Sequence, residues 1–166
     1  MKRFALLPAA LISILVLAHN PSAFTREKDK SAKADPWAGT WKLDLAKTKL
    51  HGPAPKEETI TSSGSAGGVV KYSISGTAAD GKPIDESYDG KSDGKPYPFL
   101  AGGQKVADIS YHRDSDHQYS SQGTAADGST TAAKVTLSKD GKTMTVQEHV
   151  KSSQGEFDQT IVYSKQ

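Results

Sequence analysis

The chain contains no cysteine. Disulfide staples, thiolate nucleophiles and cysteine metal ligands are all excluded, and so is a lipid anchor carried on a cysteine after an export signal. Helical patterning is missing too. Past the N-terminal apolar run, no stretch spaces its apolar residues at i, i+3, i+4 and i+7 for more than a turn or two. Apolar residues make up only 35% of the chain, and that run holds many of them. So sparse a supply builds a thin core, which suits one sheet closed on itself better than a thick layered fold. A surplus of one charge is also lacking, since 21 Lys and Arg face 19 Asp and Glu. Removing the first 23 residues takes away Lys2 and Arg3 and evens the balance. Nothing electrostatic then favours nucleic acid or an anionic membrane surface as a partner.

Met1-Lys2-Arg3 and the apolar run Phe4 to Ala18 have the pattern of an export signal. At about 15 residues the run is short for a membrane span, so cleavage after Ala18 or Ala23 is expected, with an uncleaved anchor as the alternative. No stable membrane insertion is expected after cleavage, and the protein is placed in the periplasm or outside the cell. Residues 24–34, with Arg26-Glu27-Lys28-Asp29-Lys30, are charged and aperiodic and read as a flexible tether. The folded domain is expected over 35–166.

Asp35-Pro36 signals a turn, and Gly39 permits backbone angles closed to other residues. From Thr40 the pattern has period two, with Trp41, Leu43 and Leu45 on one face and Lys42 and Asp44 on the other. Pro53 and Pro55 enforce a loop, and Glu57 to Ser63 reads as a polar strand. Val70, Tyr72 and Ile74 alternate with polar residues up to Asp80-Gly81, a hairpin signal, and Ile84, Glu86 and Tyr88 form the returning face. Strands follow over Val106 to Arg113 and His117 to Thr124. Asp127-Gly128 and Asp140-Gly141 punctuate two more, with faces at Ala133, Val135, Leu137 and at Met144, Val146, Glu148, Val150. Phe157, Gln159, Ile161 and Tyr163 give the last. Between Ser92 and Gln104 the prolines Pro96 and Pro98, the aromatics Tyr97 and Phe99, and Gly102-Gly103 read as a stiffened loop, either a lid over a cavity or a connection packed on the barrel end. Tyr72 to Lys95 aligns without gaps on Tyr119 to Lys142, with identity concentrated in the turns. Similar hairpins reusing one turn chemistry explain the echo slightly better than duplication. The fold class expected is all-β: an up-and-down antiparallel barrel of eight or nine strands, with a two-sheet sandwich as the alternative.

Gly39-Thr40-Trp41 resembles the Gly-x-Trp motif on the first strand of lipocalins. The longer stretch Asp35 to Lys49, with Gly52-Pro53-Ala54-Pro55-Lys56, resembles a group of exported bacterial lipocalin-like proteins whose functions are mostly unassigned. The resemblance implies a barrel, but it supplies no shared binding residues. The arginine that caps the lipocalin tryptophan has no counterpart here, since no arginine follows Arg113.

No nucleophile motif or glycine-rich phosphate loop is present, and no cofactor or metal is expected. His112 and His117 flank a hairpin tip beside Asp114 and Asp116, but their spacing matches no closed metal motif and a solvated turn explains them. His51 and His149 show no obvious partner. Glu86 and Glu148 fall on apolar faces, where a carboxylate is costly unless paired or hydrated. They imply either a wet cavity or positions at the barrel mouth. Two glutamates can run glycoside hydrolysis, but nothing in the sequence sets their separation. Non-catalytic binding of a small, apolar or amphipathic ligand inside the barrel is therefore expected. The alternative is a filled barrel acting as a structural module of the cell envelope. The period-two pattern nominates Tyr72 and Ile74, Glu86 and Tyr88, Val146 and Glu148, and Phe157 and Ile161 as pocket residues. Tyr97 and Phe99 are nominated to close the mouth.

Overall fold

A computed structural model describes residues 35–166. The expected signal and tether lie outside these residues. Ten strands run in chain order: β1 Gly39–Leu43, β2 Glu57–Ser62, β3 Val69–Thr77, β4 Pro83–Lys91, β5 Asp93–Ala101, β6 Gln104–Ser115, β7 Gln118–Ala125, β8 Thr130–Leu137, β9 Thr143–Ser152 and β10 Gly155–Lys165. Every strand pairs antiparallel with its chain neighbours. The ring closes where β1 pairs with β10 through Trp41 and Lys165, Lys42 and Ser164, and Leu43 and Tyr163. Closure removes both sheet edges and excludes the sandwich.

The strand count exceeds the expectation because Ser92 to Gln104 is not a loop. Asp93–Ala101 is a strand, paired with β6 from Asp93↔His112 to Ala101↔Gln104. Proline lacks an N–H and is tolerated only where no ladder bond is required. Here β4 pairs with β5 only at Phe99, Leu100 and Ala101, so Pro96 and Pro98 have no β4 neighbour to serve. The first strand is also shorter than expected. It ends at Leu43, and Leu45 is exposed in a turn where the N–H groups of Lys47 and Thr48 donate to the Asp44 carbonyl.

The Asp-Gly turns follow one design. Gly81, Gly128 and Gly141 have φ of 89°, 85° and 69°, as their sequence context requires. The tips are longer than two residues, however. Ala78 bonds to Lys82 and Ala125 to Ser129, each around a three-residue loop ending in the glycine, and Ser138 bonds to Thr143 around four. In each, the aspartate side chain accepts the N–H two residues on, at 2.9–3.0 Å. The 47-residue echo superposes β3–β4 on β7–β8, and both hairpins share this three-residue loop.

Alternating hairpins define two barrel ends. One end carries the β2–β3, β4–β5, β6–β7 and β8–β9 connections and is plugged. Trp41 is fully buried there and packs in a cluster with Trp37, Ile60, Tyr119, Leu137, Met144 and Tyr163. The Trp41 indole donates to the Trp37 carbonyl (3.2 Å), and the Trp37 indole donates to the Asp116 carbonyl (2.9 Å). Lys165 covers Trp41. Its ammonium lies 5.0 Å from the ring centroid and donates to the Pro36 carbonyl at 2.8 Å. Gly39 makes room for this reach, since a Cβ there would sit 3.0 Å from Lys165 Cε. Asp35 fastens the preceding turn by accepting from the Trp37 N–H (3.0 Å) and from the Ser65 N–H and hydroxyl (2.6 and 2.9 Å). Partial burial pushes its carboxyl pKa up, but these donors outweigh burial and hold it below the usual aspartate range.

The plug makes a direct prediction. Trp41→Ala should destabilise the barrel by about 3–5 kcal/mol in urea unfolding. A midpoint near wild type would show that the plug does not hold the barrel.

Candidate functional site

Inside the barrel a cavity of about 440 Å³ extends from the plug to the β7–β8 hairpin, where Thr124, Ala125 and Ser129 line it. Period two along each strand places its wall. Most of that wall is apolar: Ile60, Val70 and Ile74, then Ile109, Val135, Met144, Val146 and Ile161. A wider depression of about 910 Å³ lies along β6–β10, where exposed polar residues such as His112, Lys134 and His149 take part in lining it. The more apolar space inside the barrel is the better candidate site.

Of the residues nominated from sequence, Tyr72, Ile74, Glu86, Phe99, Val146, Glu148 and Ile161 line the cavity. Three nominations are corrected. Tyr88 points inward but is consumed by packing: its ring stacks on Tyr72 and its hydroxyl donates to the Ile109 carbonyl at 3.0 Å. Its fold-back requires Gly90, where a Cβ would lie 2.6 Å from the Tyr88 hydroxyl. Tyr97 is no lid, because it rides on a strand and donates to Asp93 at the surface (3.0 Å). Phe157 stacks on His51 (4.1 Å between centroids) and lies outside the lining.

Sequence reasoning missed Glu58, Tyr111 and Tyr119. Tyr119 was visible through its echo of Tyr72. Tyr111 shares the alternating face of Ala107 and Ile109, a period-two signal the sequence did carry, whereas Glu58 has only Ile60 as an apolar neighbour on its face of an otherwise polar strand. His149 does have partners, Asp158 at 2.8 Å and Glu156 at 3.4 Å, both on the outer face of β10. Among the described residues no three His, Asp or Glu side chains gather at metal-binding spacing, those around His112 and His117 included.

Three carboxylates line the half of the cavity opposite the plug. Glu58 accepts from the Tyr163 hydroxyl at 2.5 Å, and Glu148 accepts from the Gln159 amide at 2.6 Å. Burial raises the Glu86 pKa, and the negative charge of Glu58 adds to the rise. Burial also raises that of Glu148; Gln159 opposes this and Glu58 reinforces it. The tyrosines stay protonated. Burial and the neighbouring Tyr72–Tyr111 bond (2.9 Å) keep Tyr72 well above its ordinary value, while burial pushes Tyr111 to about 12. Burial and the neighbouring Glu58 charge likewise hold Tyr163 well above its ordinary value. Among the described residues no lysine, arginine or histidine lines the cavity, so the ionisable acids there have no cation beside them.

No family model matches the chain, and no curated protein matches it. Solved structures similar to it include a redesigned β-barrel, b11L5F_LGL (12% identity, 79% of this chain and 92% of that one, TM-score 0.46). Another is EF1p2_mFAP2b bound to DFHBI (12% identity, 80% and 96%, TM-score 0.47). The redesigned barrel mFAP1, also bound to DFHBI, matches at 12% identity over 78% and 95% with TM-score 0.45. The fold described above rests on the chain's own strand register.

The raised carboxyls give a pH test. A glutamate whose folded pKa lies above its unfolded value binds more protons folded than unfolded, so it lowers stability as pH rises through that interval. Glu86→Gln should therefore melt a few degrees higher than wild type at pH 7, and the difference should close as pH falls toward the ordinary glutamate value of 4.5. An unchanged or lower melting temperature at pH 7 would contradict the burial of this charge.

Proposed function

We propose that this barrel is a non-catalytic binder of a small, partly apolar molecule held in its interior. The observation that carries the reading is the cavity of about 440 Å³ with its mainly aliphatic wall. Its volume lies within the range of small-molecule pockets, which are typically about 300–1,000 Å³ and mostly apolar. A barrel built only as a scaffold gains stability by filling such space with side chains. Here Ala107, Ala133 and Gly123 leave it open. The fold is also suited to holding a guest, since closure leaves no strand edge and the plug seals one end.

We further propose that the chain is an exported protein of the lipocalin-like group. Gly39 and Trp41, which carry the resemblance, both act at the plug. The N-terminal pattern supports export, and N-terminal sequencing of protein recovered outside the cytoplasm should find a start after Ala18 or Ala23. A mature chain retaining Met1 would overturn the cleavage.

Binding is tested with Nile red, a neutral apolar dye, against wild type and Ala133→Phe, which narrows the cavity. Saturable one-to-one binding should weaken by ~10-fold or more in a variant that still melts cooperatively. If that variant fails to fold, Ala107→Leu serves the same purpose. No binding to wild type, or equal binding to a folded narrowed variant, would favour a filled structural module of the envelope.

A further inference from the structure

The cavity is asymmetric in charge as well as in shape, and this restricts what it accepts. Glu58, Glu86 and Glu148 line one half, no cation lines either, and no ion pair compensates any of the three among the described residues. Glu58 and Glu148 each hold one protein donor, whereas among the described residues no group donates to Glu86. Ionised carboxylates in an apolar enclosure are costly unless a partner neutralises them. A second orphan lies on the same wall. Tyr119 is 4% exposed, and its hydroxyl has no hydrogen-bond partner among the described residues, although its ring is held edge-on by Trp37 (4.9 Å). A buried hydroxyl without a partner is a deficit of the kind a guest molecule removes.

Resting on the binding role proposed above, we infer that the guest is an amphipathic organic cation. It has an aliphatic or aromatic body lying on the Ile60–Val146–Ile161 wall and an ammonium group among Glu58, Glu86 and Glu148. The aromatic faces of Tyr72 and Tyr111, which line the same space, add a favourable surface for a cation. Tyr119 gives the opposite end of the guest one hydrogen-bonding atom to meet. A metal ion fits less well, because the carboxylates do not gather at metal-binding spacing. Fatty acids and other apolar anions fit worst. Their carboxylate would enter a site lined by three carboxyl groups, with no arginine or lysine among the described residues to receive it.

The test uses three near-isosteric probes, 4-phenylbutylamine, 4-phenylbutanol and 4-phenylbutyrate, measured by calorimetry and by displacement of Nile red at pH 7. The amine should bind about 10-fold or more tighter than the alcohol, and the carboxylate weakest of all. In Glu86→Gln/Glu148→Gln the ratio of amine to alcohol affinity should fall toward one. If this double variant does not fold, Glu86→Gln alone should lower the ratio in the same direction. Equal affinities for the three probes, a preference for the carboxylate, or a ratio untouched in the variants would overturn the cationic guest while leaving the binding role intact. Calcium or zinc displacing the amine would also overturn it, by assigning the glutamates to a metal. Failure of all three probes and of Nile red would overturn the binding role itself.

Discussion

The structure depends on how five residues close the ring. β1 is the shortest strand, and it must pair with both β2 and β10 for the barrel to exist. Three pairs to β10 and four to β2 are few, so the closure leans on Trp41 at its centre. Trp41 is packed on the plug cluster within and covered by Lys165. Gly39 admits the lysine stem, the Pro36 carbonyl anchors its ammonium, and Asp35 ties the same turn to Ser65. Remove this clasp and the sheet regains two open edges. The clasp also sets the polarity of the molecule, since one end is spent on holding the ring shut.

That division explains the uneven interior. Near the plug, aromatic contacts run from Trp37 through Tyr119 and Tyr111 to Tyr72 and Tyr88 at centroid spacings of 4.9–6.4 Å. Such packing is what a sequence poor in aliphatic residues can offer as a core. Beyond it lie Glu86 and Glu148, whose burial works against folding, with Glu58 beside them. Proteins retain such groups where a site requires them. The surface carboxylates at the turns behave oppositely. The Lys82 side chain and backbone hold Asp80 low, and the Ser138 hydroxyl and the Lys142 N–H hold Asp140 low, so their contribution is present at neutral pH and lost as acid protonates them. Acid thus loosens the turns while relieving the interior.

Much of this was legible in the chain. Period two identified nine strands, glycine after aspartate identified the turns, and Gly39-Thr40-Trp41 located the plug. Local chemistry determines each of these. The tenth strand was hidden because Pro96 and Pro98 argue against a strand, and only the missing β4 partner makes them acceptable. Lys165 was hidden because nothing in a terminal lysine announces the ring it covers. Seven of the ten nominated residues lie on the cavity wall, because facing follows from period. Tyr88 faces inward as nominated but is taken up in packing that Gly90 permits, and Tyr97 and Phe157 leave the wall for Asp93 and His51. Glu58 sits in a strand with a single apolar residue, Ile60, and its inward aim is a matter of register against Gly76.

The central claim is that the interior holds desolvated carboxylates coupled through space in one cavity. Carbon-13 NMR of selectively labelled glutamate, titrated in wild type and Glu58→Gln, tests it most directly. The account predicts that Glu86 and Glu148 titrate above the ordinary value of 4.5, and that both move down when the Glu58 charge is removed. Titration of both at or below the ordinary value, with no response to Glu58→Gln, would contradict it.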